Sequence, residues 1–315
     1  MAITRNDRAF GISKYGIELQ HTFAGFVKEA TGGDATADVV VEKLGSDHLT
    51  KKHLGPLKYD EISFKCGTGM SKELYKWIDT GFNQTSHSRG REDGALIFAD
   101  YDNMEVSRLT WTFGLITELG MPALDASSKD SAMMSIKFAP ETTRKTWGGG
   151  GKLTVPADAS KQKKWLPSNF RLRIDGCEAG CAKVNKIEAL TIKQKVTENS
   201  IGEQRDYQKE PTSVEIPNLV ITLAESHADE FYRWHEDFVI KGNNGEDHEK
   251  GGTLEYLTPN LQEVLFTLHF FHLGVFKVSP DKMEATGEPI RRLKVEMYCE
   301  DIRFDFSGAA TYGAR

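Results

Sequence analysis

The 315-residue sequence has few cysteines, no strong excess of either charge and no long apolar run. Its four cysteines are too few for a disulfide-stabilised scaffold and favour a reducing compartment. Forty Lys and Arg against 46 Asp and Glu give a net charge of -6, which provides no basis for sequence-independent nucleic-acid binding. The most apolar stretch, residues 264–276, is interrupted by Thr267, His269 and His272, whereas a membrane span needs about 20 apolar residues. We therefore expect no membrane-spanning segment and no specific nucleic-acid binding.

Motifs of enzymatic and metal chemistry are also lacking. The sequence contains no GxSxG and no GxxxxGK[ST], and its one glycine run, residues 148–151, does not join a strand to a helix. Cys177 and Cys181 have no matching Cys or His pair at ligand spacing, so we interpret them as small residues of a β-hairpin. We expect no catalytic residue, no cofactor and no metal, and the protein is predicted not to be an enzyme.

Two parts of the sequence resemble each other in the same order of blocks. Residues 57–77 match residues 214–234 at a constant spacing of 157, which places Tyr75 over Tyr232 and Trp77 over Trp234. The further matches are Leu109, Trp111 and Phe113 over Phe266, Leu268 and Phe270 at 157, Met134, Ile136 and Phe138 over Leu293, Val295 and Met297 at 159, and residues 10–16 over residues 170–176 at 160. Such repetition indicates two divergent copies of one unit.

The boundary between the copies is predicted from composition. Residues 147–165 are rich in glycine, lysine and small polar residues and contain a proline, which is typical of a linker. We predict a first domain at residues 1–146, this linker at 147–165, and a second domain with a short polar tail at 166–315.

Each copy is predicted to consist mainly of antiparallel strands with one helix. Apolar and polar residues alternate in residues 109–115 and 293–297, which is typical of strands with one buried face. Leu74, Trp77 and Ile78 recur at helical spacing and predict an amphipathic helix. The predicted buried residues of the repeated helix are Leu74, Tyr75, Trp77, Phe231, Tyr232 and Trp234. The fold class is therefore mainly β with flanking helices (α+β), as two tandem antiparallel β-sandwich or β-barrel domains, each with one packed helix.

Residues 57–78, LKYDEISFKCGTGMSKELYKWI, resemble the tail-tube proteins of contractile phages and of extracellular contractile injection systems. The family's features are a strand of the form KYxxIxxKxG, a helix with a Leu-Tyr-x-Trp core and a glycine-containing stretch, here residues 23–33. Copy two keeps the helix as EFYRWHEDF, but Thr222 and Ala224 replace the lysine and glycine of the strand exit. The chain thus resembles a tandem duplication of the tail-tube domain.

This resemblance implies a structural subunit of six-membered rings that stack. If both copies occupied ring positions, three chains would build a pseudo-six-fold ring; if only copy one did, six chains would. A baseplate hub or tube-initiation adaptor between tube and spike is an alternative, and a soluble two-domain β-sandwich binding module is the alternative from another class.

The resemblance also implies partners and a location. The expected partners are further copies of the chain and sheath, baseplate or spike proteins. The polar N-terminus has no apolar core of a secretory signal, so we expect assembly in the cytoplasm and then a place in a virion tail or an injection-system particle. The lumen of such a tube could pass DNA or protein cargo.

Two loops lie at equivalent points before the matched strand, in residues 48–60 and 202–213. Both carry mixed charge and few apolar side chains, and we predict that they form the contacts between stacked rings. The candidate residues are His48, Lys51, Lys52, His53, Arg205, Asp206 and Lys209.

Overall fold

A computed structural model of the chain describes residues 14–43, 45, 48–82, 90–148, 151–153, 165–203, 206–280 and 290–306. Most of the predicted linker and the whole polar tail after Phe306 lie outside these residues. Within the described ranges, no helix is long and apolar enough to cross a lipid bilayer. Below, half one denotes residues 14–148 and half two denotes residues 165–306.

Half one contains eleven strands and one helix among its described residues. In chain order they are β1 (Lys14–Leu19), β2 (Thr22–Val27), β3 (Glu29–Thr31), β4 (Ala35–Glu42), β5 (Lys51–Tyr59), β6 (Ile62–Cys66), α1 (Lys72–Phe82), β7 (Arg91–Ala99), β8 (Glu105–Met121), β9 (Leu124–Asp125), β10 (Met134–Ala139) and β11 (Thr142–Trp147).

Half two has fewer but longer strands. They are β12 (Phe170–Ile174), β13 (Val184–Ile187), β14 (Leu190–Asn199), β15 (Gln208–Glu215), β16 (Leu219–Ala224), β17 (Lys250–Leu257), β18 (Val264–Pro280) and β19 (Arg292–Asp305). The α-helices are α2 (Glu178–Cys181) and α3 (Asp229–His235), and the latter continues as a π-helical turn (Glu236–Ile240). Short 3-10 turns cover Glu225–His227 and Glu246–His248. Cys177 and Cys181 therefore flank and end a short helix, and the interpretation of the pair as part of a β-hairpin is wrong.

The two halves build antiparallel sheets with the same strand order. The main path in half one is β1-β7-β8-β10-β6-β3, and the path in half two is β12-β17-β18-β19-β16-β13. All strand pairs in both sheets are antiparallel, because consecutive strands are joined by hairpins or by connections that return the chain. The predicted fold, mainly β with flanking helices, is confirmed.

Strand pairing shows which residues of the two halves correspond. β8 and β18 both have 17 residues, and Phe113 and His272, 159 positions apart, both have a positive φ, of 51° and 55°. Ile136 lies opposite Leu119, and Val295 lies opposite Val278, so the predicted spacing of 159 holds for the following strand. Positions therefore correspond at a spacing of 159 throughout β8 and β18.

The predicted spacing of 157 for β8 is therefore wrong by two residues. It placed Leu109, Trp111 and Phe113 over Phe266, Leu268 and Phe270, whereas the pairing with the neighbouring strands relates Leu109 to Leu268 and Trp111 to Phe270. An error of two residues keeps every side chain on the same face of a strand, so the alternating pattern could not reveal it.

The predicted match between the opening strands of the two halves is also displaced. Ile17 of β1 lies opposite Leu96, and Leu172 of β12 lies opposite Leu254. Leu172 thus corresponds to Ile17, 155 positions earlier, and the predicted spacing of 160 for this block is wrong.

The repeated helix packs against the sheet of each half through a tryptophan. The ring of Trp77 lies 5.1 Å from Phe138 and 6.5 Å from Trp111, measured between centroids, and its Nε1 donates a hydrogen bond to the Gly90 carbonyl at 2.7 Å. Trp234 is also buried, but among the described residues its Nε1 has no hydrogen-bond acceptor.

This difference predicts unequal effects of the same substitution. Trp77→Phe should lower the free energy of unfolding by about 2 kcal/mol, because it removes a buried hydrogen bond as well as packing volume. Trp234→Phe removes packing volume but no hydrogen bond to a described residue, and it should cost about 1 kcal/mol. Urea denaturation of the two variants measures both values, and a larger loss for Trp234→Phe would contradict the expectation.

Candidate assembly interface

Half two adds a strand to the sheet of half one. Residues 190–193 of β14 pair with residues 118–121 at the end of β8, with Leu190 opposite Met121 and Ile192 opposite Leu119. These four side chains are at most 2% exposed. In return, β9 of half one pairs with β13 at the edge of the sheet of half two. The halves are therefore joined by two strand pairings. These pairings, together with the polar and aromatic contacts of the next two paragraphs, are called the internal interface.

A polar cluster anchors the β14–β15 hairpin on half one. The Arg91 guanidinium donates to the Lys209 carbonyl at 2.7 Å and lies 2.8 Å from the Glu210 carboxylate. The Lys209 backbone N–H donates to the Glu141 carboxylate at 2.9 Å. Lys209 itself is 7% exposed, and burial lowers the pKa of its ammonium group. Lys209, predicted to contact a stacked ring, is instead buried between the two halves of one chain.

An aromatic contact completes the internal interface. Phe306, just after β19, stacks on Tyr75 of α1 with ring centroids 4.8 Å apart. Phe304 lies 6.0 Å from Phe82 at the end of the same helix. Phe306 also packs against Phe266 within half two, at 5.6 Å, so it connects the cores of the two halves.

The hairpin of half one that corresponds to β14–β15 has no such partner strand among the described residues. β4 and β5 form a separate two-stranded sheet within the described part of the chain. The two hairpins correspond at a spacing of 157, because each has a register shift at the same place, between Ala37 and Val39 and between Gln194 and Val196. The β4–β5 hairpin exposes apolar side chains, namely Val39 at 57%, Val40 at 39%, Val41 at 50% and Leu54 at 71%.

The strand end that corresponds to the docking edge of β8 is exposed as well. Residues 276–280 of β18 correspond to residues 117–121 of β8. In β8 this segment is largely buried under β14, whereas Phe276 in β18 is 40% exposed. The described strands pair with residues 277–280 along one edge only, through β19.

The counterparts of the aromatic contact are exposed on both sides. Trp147, which corresponds to Phe306, is 67% exposed, and Tyr232, which corresponds to Tyr75, is 39% exposed. The prediction that Tyr232 is a buried residue of the repeated helix is therefore wrong, although Leu74, Tyr75, Trp77, Phe231 and Trp234 are buried. The reason is the position of Phe306, which covers Tyr75, while the hydroxyl of Tyr232 donates to Glu225 at 3.2 Å on the surface.

The counterparts of Arg91 and Glu141 are Glu249 and Glu300, within a cluster that the sequence analysis did not single out. The Glu249 side chain is 6% exposed and accepts a hydrogen bond from the Tyr298 hydroxyl at 2.6 Å, and it lies 2.9 Å from Nδ1 of His272. One potential ligand atom from each of Glu249, His272 and Glu300 lies within 4.8 Å of the others, so this cluster has the geometry to hold a cation. At the sequence spacing of 157, Arg91 falls over His248, one residue before Glu249, so the sequence match does not relate Arg91 to this cluster.

The remaining predicted contact residues lie on the two hairpins. His48, Lys51, Lys52 and His53 are exposed on or beside the β4–β5 hairpin. The Tyr59 hydroxyl donates to Asp206 at 3.4 Å, which brings the two hairpins together. Arg205 lies outside the described residues. Contact with a stacked ring stays a prediction for these residues.

Comparison with known proteins gives a family match for half one. Residues 13–144 match the family model described as T4-like virus tail tube protein gp19. None of the curated proteins matches the chain.

Several solved structures are similar to the chain at low identity. The tube terminating cap of the anti-feeding prophage is 18% identical over 47% of this chain and 100% of that chain, with a TM-score of 0.37. A chain of the sheath–tube complex of the PVC extracellular contractile injection system is 15% identical over 44% of this chain and 93% of that chain, with a TM-score of 0.38. Hcp1 from Flavobacterium johnsoniae is 14% identical over 44% of this chain and 94% of that chain, with a TM-score of 0.27.

Proposed function

Since residues 13–144 match the family model of the T4-like virus tail tube protein, we propose that the chain is a structural subunit that closes into a ring of a phage tail or a phage-tail-like contractile injection system. Its partners are further copies of itself and, through the assembled particle, sheath, baseplate or spike proteins.

One observation carries this proposal: the main elements of the internal interface have exposed counterparts at corresponding positions. The docking hairpin β14–β15 corresponds to the exposed hairpin β4–β5, and the docking edge of β8 corresponds to the exposed end of β18. The aromatic pair Tyr75–Phe306 corresponds to exposed Tyr232 and Trp147. Exposed apolar side chains gathered at complementary surfaces are typical of protein interfaces.

The exposed counterparts lie on different halves of the chain, so that neighbouring chains can join head to tail. Half two offers the β18 end and Tyr232, and half one offers the β4–β5 hairpin and Trp147, so half one of one chain fits half two of the next. By analogy with the internal interface, Ala35 would lie opposite Val278 and Thr36 opposite Lys277. Such heterologous contacts form closed rings when the rotation per subunit closes.

The same geometry favours three chains per ring over six. In a ring of six chains built by half one alone, each half one would receive its neighbour at the end of β8. β14 of the same chain already occupies that edge. Three chains instead supply the six positions that the tail-tube resemblance implies. The internal interface then alternates around the ring with the corresponding contact between neighbouring chains, which we call the external interface.

The experiment is negative-stain electron microscopy with mass photometry on the purified chain over a concentration series. We expect rings of three chains. A variant in which residues 37–57 are replaced by Asn-Gly should remain a single folded chain, because the hairpin pairs with neither large sheet. Wild-type protein that stays monomeric at every concentration would overturn the proposal. Rings that stack indefinitely would indicate a main tube subunit, and single rings would indicate the hub or adaptor role.

A further inference from the structure

We propose that the cluster of Glu249, His272, Tyr298 and Glu300, called here the acidic receptor, binds Lys52 and His53 of a second copy of the chain, and that its charge determines which hairpin docks on which half. This inference rests on the proposed ring and specifies the polar contact of its external interface.

The internal interface shows how a hairpin is held at this position. Glu141 accepts a hydrogen bond from the backbone N–H of Lys209, and Arg91 binds both the Lys209 carbonyl and the Glu210 carboxylate. The Arg91 and Glu141 side chains are only 20% and 14% exposed, so these charged hydrogen bonds are largely shielded from water. The hairpin is therefore anchored through two consecutive residues of β15.

The corresponding residues of the external interface keep one of these contacts. Glu141 corresponds to Glu300, and Lys209 corresponds to Lys52 of β5. Glu300 is exposed and offers a carboxylate to the backbone N–H of Lys52, as Glu141 does to Lys209. Both interfaces thus have a glutamate as the acceptor and a lysine as the residue whose backbone N–H donates.

The second contact has its charges exchanged. Arg91 corresponds to Glu249, and Glu210 corresponds to His53. The internal interface therefore pairs an arginine on the sheet with an acid on the hairpin, whereas the external interface pairs an acid on the sheet with a histidine on the hairpin. Lys52 and His53 are both exposed, and His53 lies 3.9 Å from Glu42 of its own hairpin.

Exchange of the charges disfavours wrong pairings. A β14–β15 hairpin docked on half two of another chain would bring Glu210 against Glu249. A β4–β5 hairpin docked on half one would bring Lys52 and His53 against Arg91. Like charges at an interface oppose association, and such repulsion is a common source of specificity. The charges therefore enforce alternation of half one and half two around the ring.

The first test reverses the hairpin charge. His53→Glu places a carboxylate against Glu249, so we expect ring formation to require at least about tenfold more protein. Adding Glu249→Arg to His53→Glu reproduces the Arg91–Glu210 pair and should restore assembly. Lys76→Glu, on the exposed face of α1, is the control for an added carboxylate and should assemble normally, and circular dichroism verifies that each variant is folded.

The second test traps the contact covalently. Lys52→Cys combined with Glu300→Cys should give disulfide-linked species of up to three chains under mild oxidation. All four native thiols are buried, and burial raises the pKa of Cys66 and Cys181 to about 12 and of Cys177 and Cys299 to about 11, so they do not compete. Lys76→Cys with Glu300→Cys is the control and should remain uncrosslinked.

The outcomes separate the two proposals. If His53→Glu forms rings at the same concentrations as the wild type, and Lys52→Cys with Glu300→Cys gives no crosslink, the proposal of the acidic receptor is overturned and the proposal of the ring stands. Failure of the double variant His53→Glu with Glu249→Arg to assemble, although it is folded, would overturn the charge exchange. Wild-type protein that neither assembles nor crosslinks would overturn the ring and the receptor together.

Discussion

Trp147→Ala is expected to dissociate rings into single chains at concentrations where the wild type is assembled. Trp147 is 67% exposed in the isolated chain, and it corresponds to Phe306, which is buried against Tyr75. In the proposed ring, Trp147 packs on Tyr232 of the next chain and becomes an aromatic anchor. Tryptophans in such positions typically contribute about 2–4 kcal/mol, so the dissociation constant of the external interface should rise by about 30-fold or more.

The same change should leave the fold of the single chain almost intact. The indole of Trp147 is contacted by Lys145, whose Nζ lies 4.6 Å above the ring, and this exposed contact contributes at most about 1 kcal/mol. Trp147→Phe keeps an aromatic ring and serves as the matched control. Mass photometry reports assembly and thermal denaturation reports stability. Rings of Trp147→Ala at wild-type concentrations would show that this side chain lies outside the interface.

Phe306→Ala is expected to have the opposite profile, with a large loss of stability in the single chain. Phe306 is 7% exposed and packs against Tyr75, Phe266 and Phe304. Removing a buried phenylalanine costs about 3–5 kcal/mol, and here the loss falls on the contact between the halves. Denaturant unfolding should show the destabilisation, and limited proteolysis should cut the region between the halves faster than in the wild type. A change below about 1 kcal/mol would contradict the role of Phe306 as the connection between the two cores.

Trp147 and Phe306 occupy corresponding positions, so the two substitutions form a matched pair. One position is buried within the chain and the other is exposed for the next chain. The structure therefore predicts that the same chemical change acts on folding in one half and on assembly in the other.

The helix of each copy was predictable because its signal is local. An ungapped match of 21 residues and the helical spacing of Leu74, Trp77 and Ile78 placed it correctly. The burial of Tyr232 was predicted wrongly because exposure depends on what covers the helix. Tyr75 is covered by Phe306, more than 200 residues later in the chain, and no periodic pattern encodes such a contact.

The internal interface could not be predicted from the sequence for a related reason. The pairing of Leu190 with Met121 joins strands that are far apart in the chain, and neither strand differs in composition from an ordinary sheet edge. Lys209 carried the signature of a solvent-exposed loop, yet its backbone lies between Arg91 and Glu141. The reversed charge of Glu249 relative to Arg91 follows from the register of the strand pairs, which the sequence spacing misplaces by one residue.

The internal interface also affects how steeply assembly depends on concentration. Because β14 pairs with β8 within one chain, half of the interfaces in the proposed ring form during folding. These interfaces are intramolecular and do not require separate molecules to meet. Ring formation from three such chains varies with the third power of the free concentration, whereas six separate single-domain subunits would require the sixth power. A tandem chain of this kind can nucleate a ring at concentrations where single-domain subunits remain dispersed.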